Sequence, residues 1–323
     1  MTSLTPGMQS EPTFREKKSF KDAFKKGVRQ WLKVLPFVIL GFIGTSVFVI
    51  YPLVKGIIMS FQDYKIMPGQ KSEWVGFAHY VDAFTDPIKS RAFFQAIKNT
   101  ILNTVFTVPI NWFLAVFFAV LINAKFVKYK IAFRTIYYLP IITSWIVVAY
   151  LFRFLFAAGE NGIVNFMLLN VGIIDTPINW LGNYWTAMMV IWTFHIWKTV
   201  GWGIVIYLAA LQGIPKSLYE AANIDGANGI QQFRFITLPM LAPVTIFIVI
   251  NLIMGAFNIF PQVYFLTKGG PMGQTEVLPS LIYKQAFTSM NFGYASAMGV
   301  MMGLTIFIIT YTQMRKIGKQ KFL

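Results

Sequence analysis

Cysteine is absent from all 323 residues, so the chain forms no disulfide, ligates no metal through thiolate and offers no thiol nucleophile. Histidine occurs twice, at His79 and His195, too widely separated in sequence to suggest a histidine metal site. Acids are scarce, with 12 Asp and Glu against 28 Lys and Arg, for a formal net charge of +16. No Gly-x4-Gly-Lys-[Ser/Thr] run occurs, so the chain lacks a phosphate cradle of its own. No Ser–His–Asp set emerges, which argues against covalent catalysis. Charged residues make up 12% of the chain, where a soluble domain carries about a quarter.

What is abundant is apolar: 56% hydrophobic residues and a mean hydropathy of +0.59. Both point to a polytopic all-α membrane protein. Six apolar stretches, at about 35–58, 98–122, 134–156, 184–211, 241–265 and 294–314, each approach the roughly 20 residues a helix needs to cross the hydrocarbon. None contains Asp or Glu, so a stand-alone gradient-driven carrier or channel, the alternative class, lacks the usual coupling carboxylate.

Residues 1–33 are polar and basic, without the apolar core of a signal peptide. Phe20, Phe24, Val28 and Trp31 share one helical face among six Lys and Arg, a pattern suited to an anionic leaflet rather than to nucleic acid. Eighteen of the 28 basic residues fall on the side of the two termini, the 125–134 loop and the 213–239 loop; seven fall opposite and three within spans. Both termini are therefore expected in the cytoplasm. The outer connectors 62–97, 157–183 and 267–293 are longer; Trp180 and Trp185 suit interface anchors, and Gly269-Gly270-Pro271 signals a turn.

Polar residues inside spans usually face a bundle interior or a wet cavity. His195, Lys198, Thr199 and Trp202 share one face of the fourth span. Asn251, Gly255, Asn258 and Gln262 share one in the fifth, and Asn99, Asn103, Thr107 and Asn111 one in the second. The stripe of the second span suits interhelical hydrogen bonds; the other two suit a hydrated path. Trp192, Trp197 and Trp202 offer flat faces for a sugar, and the Lys198–His195 pair suits an acidic one. Ala295, Gly299 and Gly303 form a small-residue packing stripe in the sixth span.

A polar interruption, Tyr219 to Pro239, separates the fourth and fifth spans. Pro215 opens a short helix, Gly226 suits its C′ position, and the chain turns at Ala227-Asn228-Gly229 into a second helix. Ala221 and Ala222 leave one face open to close approach, and Glu220 and Asp225 are the only acids. Glu220-Ala221-Ala222, then Gly226, then Ile236-x-Leu238-Pro239 resembles the EAA loop of ABC-importer permeases of the maltose and glycerol-phosphate type. Phe133 to Pro140, Leu208 to Pro215, Gly269-Gly270-Pro271 and Phe292 to Ala297 fit the same family in the same order.

The resemblance implies a MetI-like permease fold of six transmembrane helices over 34–323, with the coupling loop at 213–239, in a bacterial cytoplasmic membrane. It implies a second homologous permease, two ATPase subunits that hold the ATP and Mg, an external solute-binding protein and a sugar or oligosaccharide as cargo; this chain itself binds no cofactor and catalyses nothing. Docking to the ATPase then falls to Glu220, Ala221, Ala222, Asp225, Gly226, Ile236, Leu238 and Pro239. Counted from the loop, the family's substrate face falls on His195 to Trp202 and around Gly255 to Ile259; together with the polar stripes, the path candidates are His195, Lys198, Thr199, Trp202, Asn251, Gly255, Asn258 and Ile259.

Overall fold

The structure, a computed structural model, describes residues 35–317 apart from 37, 68, 125 and 126. The basic segment expected at 1–33 lies outside the described residues. The chain divides into two units at residues 55 and 56. In the first unit, the described residues are helical, and from Val38 on they belong to α1 (Val38–Met59), which carries a π-turn over Ser46–Ile50. Thr45 Oγ1 donates to the Gly41 carbonyl at 2.9 Å, the usual refuge of a hydroxyl within a span.

The second unit begins with the end of α1 and a two-residue antiparallel pair, β1 (Gln62–Asp63) and β2 (Glu73–Trp74). Next come α2 (Ala78–Thr85), α3 (Lys89–Asn123), α4 (Lys130–Ile142), α5 (Trp145–Leu155), α6 (Ile163–Asn170) and α7 (Tyr184–Gln212). The loop region forms α8 (Lys216–Ile224) and α9 (Gly229–Met240), followed by α10 (Ala242–Phe257), α11 (Pro261–Leu266), α12 (Leu278–Tyr283) and α13 (Phe292–Ile317). Helices α1, α3, α7 and α13 are each long and apolar enough to span a membrane. The bent pairs α4–α5 and α9–α10 bring the number to six if each pair is one span.

Two of the expected straight spans are therefore broken. The stretch 134–156 turns by 98° at Thr143-Ser144, both extended, with ψ of 150° and 135°. Pro140 stands in the last turn of α4, where its missing N–H weakens the helix, and Thr143 Oγ1 donates to the Pro140 carbonyl at 2.6 Å. The stretch 241–265 stops at Phe257. Asn258 folds its amide back onto the Met254 carbonyl at 2.8 Å, and Pro261 opens α11.

Around these breaks lie three buried clusters. One joins α3, α7 and α10 through Val116, Tyr207, Leu208 and Ile248. A second joins α5, α7 and α11 through Phe152, Ile191, Phe194 and Val263. A third joins α2, α3, α12 and α13 through Ala83, Phe93, Leu281 and Met298. In lipid, helices gain little from apolarity alone, so close approach matters more. Gly201 supplies it: a Cβ there would stand 1.8 Å from the Tyr137 carbonyl oxygen, so only glycine lets α7 lie against α4.

Two asparagines of the buried α3 stripe bond across elements, one to a loop and one to α10, while Thr107 bonds its own helix at the Asn103 carbonyl. Asn99 donates to the Gln274 and Glu276 carbonyls at 2.7 and 2.6 Å, and Asn103 to the Ala256 carbonyl at 2.9 Å. Two sequence motifs also lock together: His79 Nε2 meets the Gln62 carbonyl at 3.0 Å, and Gly293 lies so close that a Cβ would stand 2.1 Å from that oxygen. In α13, by contrast, nothing among the described residues lies within 4 Å of a Cβ built at Gly299 or Gly303, so these two pack no described neighbour.

Candidate functional site

The break at Thr143-Ser144 opens a cavity of about 360 Å³. Its walls are Ile141 of α4, Trp145 of α5, four residues of α7 and three of α10. The α7 wall is His195, Lys198, Thr199 and Trp202; the α10 wall is Asn251, Leu252 and Gly255. Six of the eight pathway candidates thus share one cavity. The other two lie elsewhere: Asn258 is exposed at the end of α10, and Ile259 is fully buried among Phe152, Phe194 and Val263.

Each wall residue has a specific setting. Thr199 Oγ1 bonds its own helix at the His195 carbonyl, 2.7 Å, and reaches Asn111 Oδ1 of α3 at 3.2 Å. Asn251 bonds back to the Phe247 carbonyl at 2.8 Å, and the Trp202 ring lies 6.0 Å from that of Phe247. Gly255 has nothing within 4 Å of a built Cβ, so it keeps the cavity open rather than helices close. Trp192 is withdrawn into the core, stacked at 4.4 Å on Phe106, and Trp197 packs at 5.9 Å on Phe152. Of the three tryptophans expected to face a sugar, only Trp202 lines the cavity.

Lys198 is 1% exposed and does more than line the wall. Its Nζ donates to the carbonyls of Pro140, Ile141 and Thr143 and to Thr143 Oγ1, and stands 4.9 Å from the Trp145 ring centroid. Those carbonyls belong to the C-terminal end of α4, where four C=O groups have no intrahelical partner and the helix dipole is negative. The ammonium therefore caps the broken helix from α7. Sequence reasoning missed Ile141 and Trp145 because it ran one straight helix through them. The signals were Pro140 four residues before an extended Ser144, and a lysine opposite.

At the other end of α7 the polar loop folds as a stitched elbow. Gly226 takes φ +77° at the end of α8, and α9 begins with a capping box in which Asn228 and Gln231 bond each other's backbone N–H at 2.9 and 2.7 Å. Tyr219 Oη and Thr237 Oγ1 meet at 2.9 Å, and Gln232 Nε2 donates to Asn223 Oδ1 at 2.6 Å. The inner side, Tyr219, Phe233 and Ile236, packs on the first cluster. Glu220, Ala221, Asp225, Gly226 and Pro239 are exposed; Ala222 and Leu238 are half-buried. Neither Glu220 nor Asp225 makes an ion pair among the described residues, while Ile224 is 86% exposed. The elbow presents unpaired acids and a bare isoleucine on a rigid base.

On the side where α3 begins, Glu276 is buried beside Gly269, where a Cβ would stand 2.0 Å from Oε2 and where φ is +82°. Burial pushes the Glu276 carboxyl up from its ordinary value, while Ser280 and Lys284 oppose that shift. Asp86, by contrast, accepts from the backbone N–H groups of Lys89 and Ile88, which hold its carboxyl below the usual range.

Residues 83–319 match the family model described as the binding-protein-dependent transport system inner membrane component. The arabinooligosaccharides transport system permease protein of Halalkalibacterium halodurans is 36% identical over 292 residues, 90% of this chain and 89% of that protein. The lactose transport system permease protein of Rhizobium radiobacter is 34% identical over 88% of this chain and 93% of its own. Among solved structures, a chain of the bacterial alginate ABC transporter in complex with an alginate pentasaccharide-bound periplasmic protein aligns with a TM-score of 0.79 at 25% identity, covering 91% of this chain and 98% of that one. With its helical spans, cavity and elbow, this chain belongs to the family of multi-pass inner membrane components of binding-protein-dependent transport systems.

Proposed function

We propose that this chain is one of two homologous permease subunits of an ATP-driven importer, and that its cargo is a sugar or oligosaccharide, acidic ones included. The observation that carries the reading is the cavity at the α4–α5 break, where residues of four helices meet beside half-buried Trp202 and Asn251. Relatives named for arabinooligosaccharides and lactose, and a neighbour that handles alginate, support a carbohydrate. An external binding protein delivers the cargo. The cavity offers amide, hydroxyl and indole surfaces suited to such a ligand. Lys198 adds a positive charge to the wall, but its protons already serve the carbonyls of α4.

The elbow docks on a separate ATPase that carries ATP and Mg. Glu220 meets a basic residue of that partner, and the exposed face around Ala221, Asp225 and Gly226 enters its surface. Ile236, Leu238 and Pro239 fix the base of the elbow. Both termini lie in the cytoplasm, following the basic-residue asymmetry.

Tagged protein purified from its native membrane in mild detergent tests the assembly. A second permease and an ATPase should co-purify, with hydrolysis in liposomes stimulated by the external binding protein. Glu220→Lys should remain in the membrane yet lose the ATPase. Recovery of this chain alone, or undiminished ATPase capture by Glu220→Lys, sinks the docking reading.

A further inference from the structure

The break after α10 has a second result: it re-aims Gln262. On a continuous helix Gln262 would continue the Asn251–Gly255 stripe; on α11 it is 2% exposed and its Nε2 lies 2.9 Å from His195 Nδ1. Gln262 Oε1 is buried with no partner. Turning the amide over would let Oε1 accept from Nδ1–H, but would leave both amide N–H groups without an acceptor, against one N–H and the oxygen as it stands. Orphaned buried N–H groups are rarer than under-satisfied carbonyl oxygens, so the amide donates and Nδ1 accepts. A neutral imidazole that accepts at Nδ1 carries its proton on Nε2. His195 Nε2 has no partner among the described residues, it is not sealed like the Gln262 oxygen, and the ring lines the cavity.

We propose that Gln262 is a positioning residue: it fixes His195 as the Nε2–H tautomer, so that the cavity wall presents one permanent neutral donor. This rests on the reading of the cavity as the cargo path. The complementary ligand chemistry is an acceptor oxygen, of a sugar hydroxyl, ring ether or carboxylate. The other groups around the ring offer Nδ1 no competing partner. The one charged residue lining the cavity is Lys198, held by the α4 carbonyls; the walls from α4, α5 and α10 bring no titratable group, and α11 brings the amide itself. The sequence stripe placed Gln262 beside Asn258, which instead bonds its own helix.

With two histidines in the chain, ring-nitrogen NMR of ¹⁵N-histidine-labelled full-length protein in nanodiscs reads the tautomer directly. The wild type should show His195 protonated at Nε2. Gln262→Met, of similar length without the donor, should shift the tautomer ratio about five- to tenfold toward parity. Gln262→Glu should move the proton to Nδ1, facing the introduced carboxylate. A wild-type His195 protonated at Nδ1, or a spectrum unchanged in Gln262→Met, overturns the proposal. The cavity premise is tested separately with Gly255→Cys, the sole thiol in an otherwise cysteine-free chain, and a water-soluble methanethiosulfonate reagent. Labelling of Cys at this position in the folded protein supports a wet cavity. A thiol that reacts only after denaturation removes the cavity premise and leaves the tautomer result standing.

Discussion

Lys198→Met removes the ammonium that caps α4 and keeps a side chain of similar length. Two partly buried carbonyls, Ile141 and Thr143, then lose their donor, while the Pro140 carbonyl keeps only Thr143 Oγ1. An unsatisfied buried polar group costs about 1–3 kcal/mol, and the two partly wet carbonyls recover some of that from water, so the loss for the pair should be about 1–3 kcal/mol. The cost of holding a charge in hydrocarbon does not offset it, because the lysine also lies in the membrane when inserted helices have separated. At about 1.4 kcal/mol per decade the folded-to-unfolded ratio falls about 5- to 140-fold. The assay is unfolding by SDS in mixed micelles, followed by tryptophan fluorescence, with no sugar present. Hydrogen exchange at Ser144 to Val148 should accelerate in parallel, and Lys198→Arg should retain most of the stability. If Lys198→Met unfolds at the wild-type midpoint with unchanged exchange, the lysine is not a helix cap and its role is confined to the cargo.

Two glycines should separate packing from cavity space. Gly201→Ala forces α7 from α4, where its Cβ would stand 1.8 Å from the Tyr137 oxygen, and should cost about 1–3 kcal/mol in the same SDS titration. Gly255→Ala meets nothing within 4 Å, so it should leave the midpoint unchanged and alter transport alone. Glu276→Gln should make stability less dependent on pH. Because burial raises its native pKa, the native state binds the proton more tightly; stability is highest below the ordinary value of 4.5 and falls as pH rises toward the native value. The glutamine variant should therefore gain most over wild type near neutral pH and little at pH 4, read by hydrogen exchange of residues 267–276. Asp86 has the opposite sign. Its depressed native pKa makes its contribution complete above 3.8 and lost as pH falls through that lower value, so the Ile88 and Lys89 amides should exchange faster in acid, less so in Asp86→Asn.

How much of this was legible depended on whether local or distant residues decide the backbone. The elbow was readable because Pro215, Gly226 and Asn228 impose their turns within a few residues, and the structure places α8 and the φ +77° glycine there. The apolar spans were readable by length. Their breaks were not, since every face of a membrane helix is apolar and periodicity carries little contrast across 134–156. The bend at Thr143 also depends on a lysine 55 residues away. The cavity followed from the α7 face, whereas Trp145 and Ile141 entered it only through that bend. Asn258 left its predicted stripe because an asparagine beside Ile259-Phe260-Pro261 ends a helix more readily than it continues one.

The stitching of the elbow has a mechanical consequence. Helix α8 is tied to α9 at both Tyr219–Thr237 and Asn223–Gln232, so the two behave as one stiff arm. The α9 portion has 12 residues, about 18 Å at the usual helical rise. It joins α10 at a 67° bend, and α10 carries Asn251 and Gly255. A tilt of about ten degrees about the far end of such an arm sweeps its near end through about 3 Å, the size of a water molecule. Force applied at α8 would therefore reach α10, one wall of the cavity, while Lys198 fastens the opposite wall between α4 and α7.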